Sequence, residues 1–351
     1  MKLRKLILLF CAVILLQSCT STKLSNKNSY PNSVSEMDII TLGNEKQYIL
    51  IHGENINNPV VLLVHGGPGN SEMPIMRIAT EKLINNFTIV IWDQRGSGKS
   101  YFLLKDKKSV TKENIENDCI ELIDYLRKRF AKDKIYFIGH SWGTVIGIDT
   151  ILKNPEKIAG YIGIGQIVNV IPQEEISYDY TLMRAKEQNK KNDILTLEKI
   201  GKPINGLYKN RIKDLYTQRK LLLKFGGSLY GKTSYSQVYP VLLRFEEYNI
   251  CDLVNYFSGN TLSLENIWNS DFVKINYFEQ AQRIEVPIYF FVGRHDYQTS
   301  FELVESYFNF VKAPEKELIW FENSAHSPLY EETDKFVEEV NICFSKKLNN
   351  R

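Results

Sequence analysis

Ile135-Tyr136-Phe137-Ile138-Gly139-His140-Ser141-Trp142-Gly143 is the stretch whose reading decides the fold. A short apolar run with aromatic and β-branched residues reads as a buried strand. The pattern G-x-S-x-G follows at once, and Thr144 to Lys153 then has helical character. A strand that turns straight into a helix at a serine must bend sharply, and it presents the hydroxyl above the sheet edge. Glycines flank the serine because strand and helix approach too closely there for a side chain. The pattern alone recurs by chance in long chains; its place between strand and helix makes it informative.

A serine hydroxyl is a weak nucleophile at neutral pH and needs a neighbouring base. The five histidines are His52, His65, His140, His295 and His326. The serine turn resembles the nucleophile elbow of the α/β-hydrolases, and that resemblance implies that the acid and then the histidine follow the serine in the chain. That leaves His295 and His326. His295 lies in Gly293-Arg294-His295-Asp296, after the strand-like Ile288 to Val292, and Asp296 beside it reads as the acid. His326 lies in Asn323-Ser324-Ala325-His326-Ser327-Pro328, after the strand-like Glu317 to Phe321, and heads a final helix from about Leu329 to Lys347. The pattern assigns Ser141 as nucleophile, His326 as base and Asp296 as the group that orients the imidazole.

A tetrahedral intermediate needs N–H donors for its oxyanion. The amide of Trp142, directly after the nucleophile, is one. The other is expected in His65-Gly66-Gly67-Pro68-Gly69, which follows the strand-like Pro59 to Val64. Gly67 is favoured over Gly66, and His65 reads as a residue that orders this loop.

Taken together, HGGPG at 65–69, WDQRGSGKS at 92–100 and GHSWG at 139–143 resemble the prolyl aminopeptidases (proline iminopeptidases) of the α/β-hydrolase fold. The similarity runs from about Met37 onward and is weakest between Gln166 and Asn276. It implies an enzyme without cofactor or metal that releases an N-terminal residue, often proline, from short peptides. Asp93, Arg95 and Gly96 read as structural, holding their loop by charge-assisted hydrogen bonds. In the family, glutamates of the cap bind the substrate's α-amino group. Arg244-Phe245-Glu246-Glu247-Tyr248 resembles one such segment and puts Glu246 at the matching place; a second amine-binding glutamate is not identifiable. On a helix Glu246 and Glu247 would point about 100° apart, so only one would face a pocket.

Alternation of strands and helices predicts a doubly wound, mostly parallel eight-stranded α/β sheet. The strands fall near residues 38–41, 47–52, 59–64, 88–91, 135–138, 158–164, 288–292 and 317–321. Asn114 to Arg129 has helical periodicity, with Ile115, Cys119, Leu122, Ile123 and Leu126 on one face. Residues 37–165 and 276–351 form the core. Residues 166–275 show only helix-like segments rich in Tyr, Lys and Leu, and read as an inserted helical cap. Its aromatics, among them Tyr178, Tyr180, Tyr216, Tyr239, Phe245 and Tyr248, divide between cap core and pocket wall. A cap over the site would limit substrate size.

The start of the chain carries a separate message. Met1 to Lys5 is basic and Leu6 to Leu16 is apolar throughout. This run falls short of the roughly 20 residues a membrane-spanning helix needs, and residues 1–18 fit a secretory signal peptide. Leu16-Gln17-Ser18-Cys19 resembles the lipobox of bacterial lipoproteins, with Cys19 the residue that takes the lipid. Residues 19–36, rich in Ser, Asn, Thr and Lys, read as a flexible tether. The implied location is the bacterial cell envelope, with the catalytic domain outside the cytoplasm.

The rest of the composition excludes more than it suggests. A formal charge of +3 gives no case for nucleic acid. Cys119, Cys251 and Cys343 lack metal-ligand spacing and read as buried small apolar residues. Three functions remain open at this level: an aminopeptidase for short peptides, a carboxylesterase or amidase with a neutral acyl pocket, and a non-catalytic ligand-binding lipoprotein. Substrate and oligomeric state are not written in the sequence.

Overall fold

The computed structural model describes residues 31–345, so the signal peptide, Cys19 and most of the tether lie outside the described residues. The eight expected strands form one sheet in the order β1-β2-β4-β3-β5-β6-β7-β8. They are β1 (Val34–Leu42), β2 (Glu45–Gly53), β3 (Val60–Val64), β4 (Thr88–Asp93), β5 (Ile135–His140), β6 (Ile158–Ile164), β7 (Ile288–Gly293) and β8 (Lys316–Phe321). β2 pairs antiparallel with both β1 and β4, and every other pairing is parallel. All residues of β3, β4, β5 and β7 are buried, as expected of strands covered on both faces. Successive residues point to opposite faces. Leu62, Val64 and Phe137 therefore enter one apolar cluster, while Val61, Leu63, Tyr136 and Ile138 enter another.

β1 begins earlier than the sequence indicates. Val34, Ser35 and Glu36, placed above in the tether, pair with Gly53, His52 and Ile51. Polar content hid this strand, but β2 extends the ladder and Arg129 binds both Glu36 and Asp38.

Helices α1 (Met73–Ala79), α2 (Lys112–Arg129) and α3 (Trp142–Lys153) connect the first six strands. α2 buries the expected Ile115, Cys119, Leu122, Ile123 and Leu126, and the Thr111 hydroxyl caps it by accepting the Asn114 N–H at 3.2 Å. Between β6 and β7 the chain is helical: α4 (Val170–Glu187), α5 (Lys191–Ile200), α6 (Arg211–Lys224), α7 (Tyr239–Arg244), α8 (Ile250–Ile267) and α9 (Tyr277–Gln280). α10 (Phe301–Phe310) joins β7 to β8. The last helix is split into α11 (Pro328–Glu331) and α12 (Thr333–Ser345). The break falls at Glu332, whose carboxylate accepts the Asn323 N–H and the Ser324 hydroxyl instead of lying on a continuous helix. Cys119 and Cys343 are buried, as expected, whereas Cys251 on α8 is only half-buried. No helix among the described residues is long and apolar enough to cross a membrane.

Candidate active site

The parallel strands deliver their C-terminal ends to one edge of the sheet, where open α/β sheets bind ligands. Ser141 leaves β5 there, the Gly66-Gly67 loop leaves β3, Asp296 leaves β7 and His326 leaves β8. Ser141 sits at the N-cap of α3 with φ +52° and ψ −119°, a conformation that a non-glycine residue holds only under constraint. Its N–H donates to the Ile164 carbonyl at 2.9 Å, and its carbonyl accepts the Thr144 hydroxyl at 2.6 Å. The flanking glycines are a steric need. A methyl on Gly139 would lie 2.6 Å from the Gly143 carbonyl oxygen, and one on Gly143 would lie 2.1 Å from that of Val64.

Of the two candidate bases, the structure brings His326 to Asp296, with Nδ1 2.9 Å from Oδ2. His295 instead stacks on Tyr230 at 4.2 Å between ring centroids. Asp296 also accepts the N–H groups of Gln298 and Thr299 at 2.8 and 2.9 Å, and the Thr299 hydroxyl at 2.7 Å. Burial pushes this carboxyl up; the His326 charge and these donors outweigh it, so the pKa falls below the usual carboxylate value. Glu331 fixes the His326 loop by accepting the N–H groups of Ala325 and Ser327 at 3.0 and 3.1 Å. Among the described residues His326 Nε2 is buried without a hydrogen-bond partner. It and Ser141 line the same cavity.

In the loop after β3, the Gly66 N–H is taken by Glu72 Oε2 at 3.1 Å. Gly67, with φ +114°, and Trp142 line the cavity beside Ser141. His65 orders the loop as expected. Its Nδ1 lies 2.9 Å from the Gly66 carbonyl oxygen, and its Nε2 accepts the Gln94 N–H at 3.3 Å. Burial brings its pKa down to about 4, so the ring is neutral. Arg95 and Asp93 also act as read. Arg95 donates twice to Asp118, at 2.7 and 2.6 Å, and reaches the Gly43 carbonyl at 3.1 Å. Asp93 accepts the Lys99 N–H at 2.8 Å and the Tyr248 hydroxyl at 3.0 Å.

The cavity measures about 660 Å³. Its walls are mostly apolar, with Leu215, Leu223, Leu242, Trp268 and Phe272 from the segment between β6 and β7. Of the aromatics singled out in the sequence, Tyr216 lines it, Tyr178, Phe245 and Tyr248 are buried, and Tyr180 stacks on Tyr297 at 3.6 Å.

Glu246 is not part of this cavity. α7 stops at Arg244, Phe245 is extended, and Glu246 is exposed in the turn that follows. The helical reading fails because Phe245 and Tyr248 both turn inward, and Tyr248 reaches Ser71 at 2.6 Å. The acidic side chain that does line the cavity is Glu72, which the sequence reading missed. Both its oxygens lie 2.8 Å from His140 Nδ1. An acid just beyond a glycine-rich loop was the available signal. Arg219 is a second missed residue; it lines the cavity and is paired with Glu174. Among the described residues no cluster of His, Cys, Asp and Glu could hold a metal ion.

Residues 59–193 match the family described as the alpha/beta hydrolase fold. The chain is 33% identical to "Probable aminopeptidase YbaC" of Bacillus subtilis over 310 residues, covering 88% of this chain and 96% of that one. It is 25% identical to a proline iminopeptidase of Saccharolobus solfataricus, covering 84% of this chain and 91% of that one. Two solved structures share the fold at low identity. One is a proline iminopeptidase-related protein of Thermus thermophilus (TM-score 0.59, 18% identity, 89% and 98% covered). The other is 2-hydroxy-6-oxo-6-phenylhexa-2,4-dienoate hydrolase of a Rhodococcus species (TM-score 0.62, 17% identity, 90% and 100% covered).

Proposed function

Because this chain belongs to the alpha/beta hydrolase fold family and is an enzyme of that family, we propose that it is a serine hydrolase that releases N-terminal residues, of the proline type, from short peptides. The observation that carries the catalytic part is the His326–Asp296 contact of 2.9 Å, in a cavity that Ser141 also lines. Ser141 Oγ attacks the scissile carbonyl while His326 Nε2 takes its proton. The amides of Gly67 and Trp142 hold the oxyanion. The leaving amine collects the proton from His326, and water then hydrolyses the acyl-enzyme by the same route. Asp296 keeps Nδ1 protonated and steadies the imidazolium. The likeness to the aminopeptidase and iminopeptidase relatives supports the peptide substrate.

One observation favours an esterase or amidase acting on small neutral acyl substrates. Glu246 is exposed and the cavity's carboxylate, Glu72, is already paired with His140. A pocket with no spare negative charge has little to offer an ammonium group. Turnover of prolyl- and alanyl-p-nitroanilide, beside p-nitrophenyl acetate and butyrate, separates the two. Anilide cleavage that requires a free amine supports the aminopeptidase; ester cleavage alone overturns it in favour of the esterase. We further propose that the chain is exported and lipidated at Cys19, on the strength of Leu6 to Cys19. Metabolic labelling with a fatty acid that is lost in Cys19→Ser supports this, and labelling that persists contradicts it.

A further inference from the structure

His140 occupies the variable position of the G-x-S-x-G motif, directly before the nucleophile, and the acyl-transfer scheme above gives it no task. Its side chain is nearly fully buried. The environment of its two ring nitrogens is unusual. Nδ1 faces the two carboxylate oxygens of Glu72 at 2.8 Å each. Nε2 faces the backbone carbonyl oxygen of His326 at 2.8 Å. A carbonyl oxygen only accepts, and an ionised carboxylate only accepts. A neutral imidazole has one N–H, so it would leave one of these contacts as lone pair against lone pair. Two N–H groups satisfy both.

We propose that His140 is held as an imidazolium that braces the oxyanion loop against the loop carrying His326, and that its deprotonation sets the alkaline limit of activity. This rests on the reading of Ser141 as the nucleophile. The brace joins two loops through the last residue of β5. Glu72 Oε2 accepts the Gly66 N–H at 3.1 Å, which uses up that amide and fixes the peptide leading to Gly67. Glu72 then holds His140, which holds the main chain of His326. His140 is a positioning residue: it touches the backbone of the base.

Burial alone would disfavour the cation. The charge and hydrogen bond of Glu72, the His326 carbonyl and the Asp296 charge outweigh that, and the pKa of His140 is raised. Glu72 shows the reciprocal effect: burial raises it, but His140 first, then His65 and the Gly66 N–H, together outweigh this, and its pKa is lowered. The titratable groups around the pair are Glu72 and His65 from the loop after β3, Asp296 from the loop after β7, His326 from the loop after β8, and Tyr235 and Tyr256 from the segment between β6 and β7. His65 is neutral, and the His326 ring lies 5.0 Å from that of His140 between centroids.

The test combines a spectrum with a rate. Long-range proton–nitrogen NMR of the histidine rings in the full-length chain reports the protonation of each nitrogen, and His140→Gln assigns the signals. Both His140 nitrogens are expected to be protonated at pH 7.5. A neutral tautomer there, with Glu72 holding the proton, overturns the proposal without reference to any substrate. The rate is phosphonylation of Ser141 by a fluorophosphonate between pH 6 and 10. The wild type should show an alkaline fall. Glu72→Gln should move that fall to lower pH by about 1 unit or more, and His140→Gln should abolish it while lowering the plateau. An alkaline limb unchanged in both variants overturns the proposal. If neither variant folds, the wild-type spectrum decides, with the His140 ring signals assigned by through-bond correlation to its own backbone.

Discussion

His326 Nδ1 lies 2.9 Å from Asp296 Oδ2, across the loops that end two neighbouring parallel strands. The pair is set by the register of β7 and β8, since Gly293 stands opposite Phe321 and each strand ends at the same edge. Three donors other than His326 hold the two oxygens of Asp296, so its orientation is fixed before His326 uses it. Asp296→Asn should keep the fold but allow the wrong imidazole tautomer. The expected loss in kcat is about 10⁴-fold, measured on p-nitrophenyl butyrate against Ser141→Ala as the floor. A loss below tenfold would remove Asp296 from the scheme.

Gly143→Ala should be among the most damaging small substitutions in the chain. The added methyl would sit 2.1 Å from the Val64 carbonyl oxygen and 2.9 Å from that of His65, both backbone atoms. Relief requires α3 to move away from β3, which displaces Ser141. The expected cost is on the order of 3 kcal/mol or more, read as a lowered urea midpoint. An unchanged midpoint would contradict the packing described.

Tyr248→Phe tests how the segment between β6 and β7 is fastened to the core. The hydroxyl lies 2.6 Å from Ser71 Oγ and 3.0 Å from Asp93 Oδ2. Its removal leaves a buried carboxylate short of one donor, at a cost of about 1–3 kcal/mol. Thermal denaturation of the two proteins at pH 7 measures it.

Asp93 gives a pH signature. Burial raises its pKa from 3.8 to about 6, despite donors from Ser71, Lys99 and Tyr248. The folded state therefore holds this proton more tightly than the unfolded state. The resulting stability is fully present below the unfolded value near 3.8 and is lost as pH rises through about 6. Wild type should lose stability over that window relative to Asp93→Asn, by roughly 2 kcal/mol. Parallel denaturation curves at pH 4.5 and 7 for both proteins give the difference, and equal slopes would contradict it.

Local patterns carried most of the fold. Val60 to Val64 and Ile288 to Val292 are unbroken apolar runs because both faces of their strands are covered. The serine turn was legible because its glycines answer to backbone contacts that any such turn makes. The Glu72–His140 pair was not, since it joins positions 68 apart and follows no periodicity. Glu246 was misplaced for a related reason. Whether α7 continues past Arg244 depends on where Tyr248 finds partners, and those are Ser71 and Asp93 in the distant core. The early start of β1 was masked because only Val34 of Val34 to Glu36 is apolar and packs on the core, while ladder hydrogen bonds and the Arg129–Glu36 ion pair hold the rest.

The measurement that bears most directly on the account is peptide mass mapping after reaction with a fluorophosphonate. A single adduct on the peptide containing Ser141 is predicted, absent in Ser141→Ala and formed orders of magnitude more slowly in His326→Ala. No adduct on Ser141, or an adduct that forms at the same rate without His326, would contradict it.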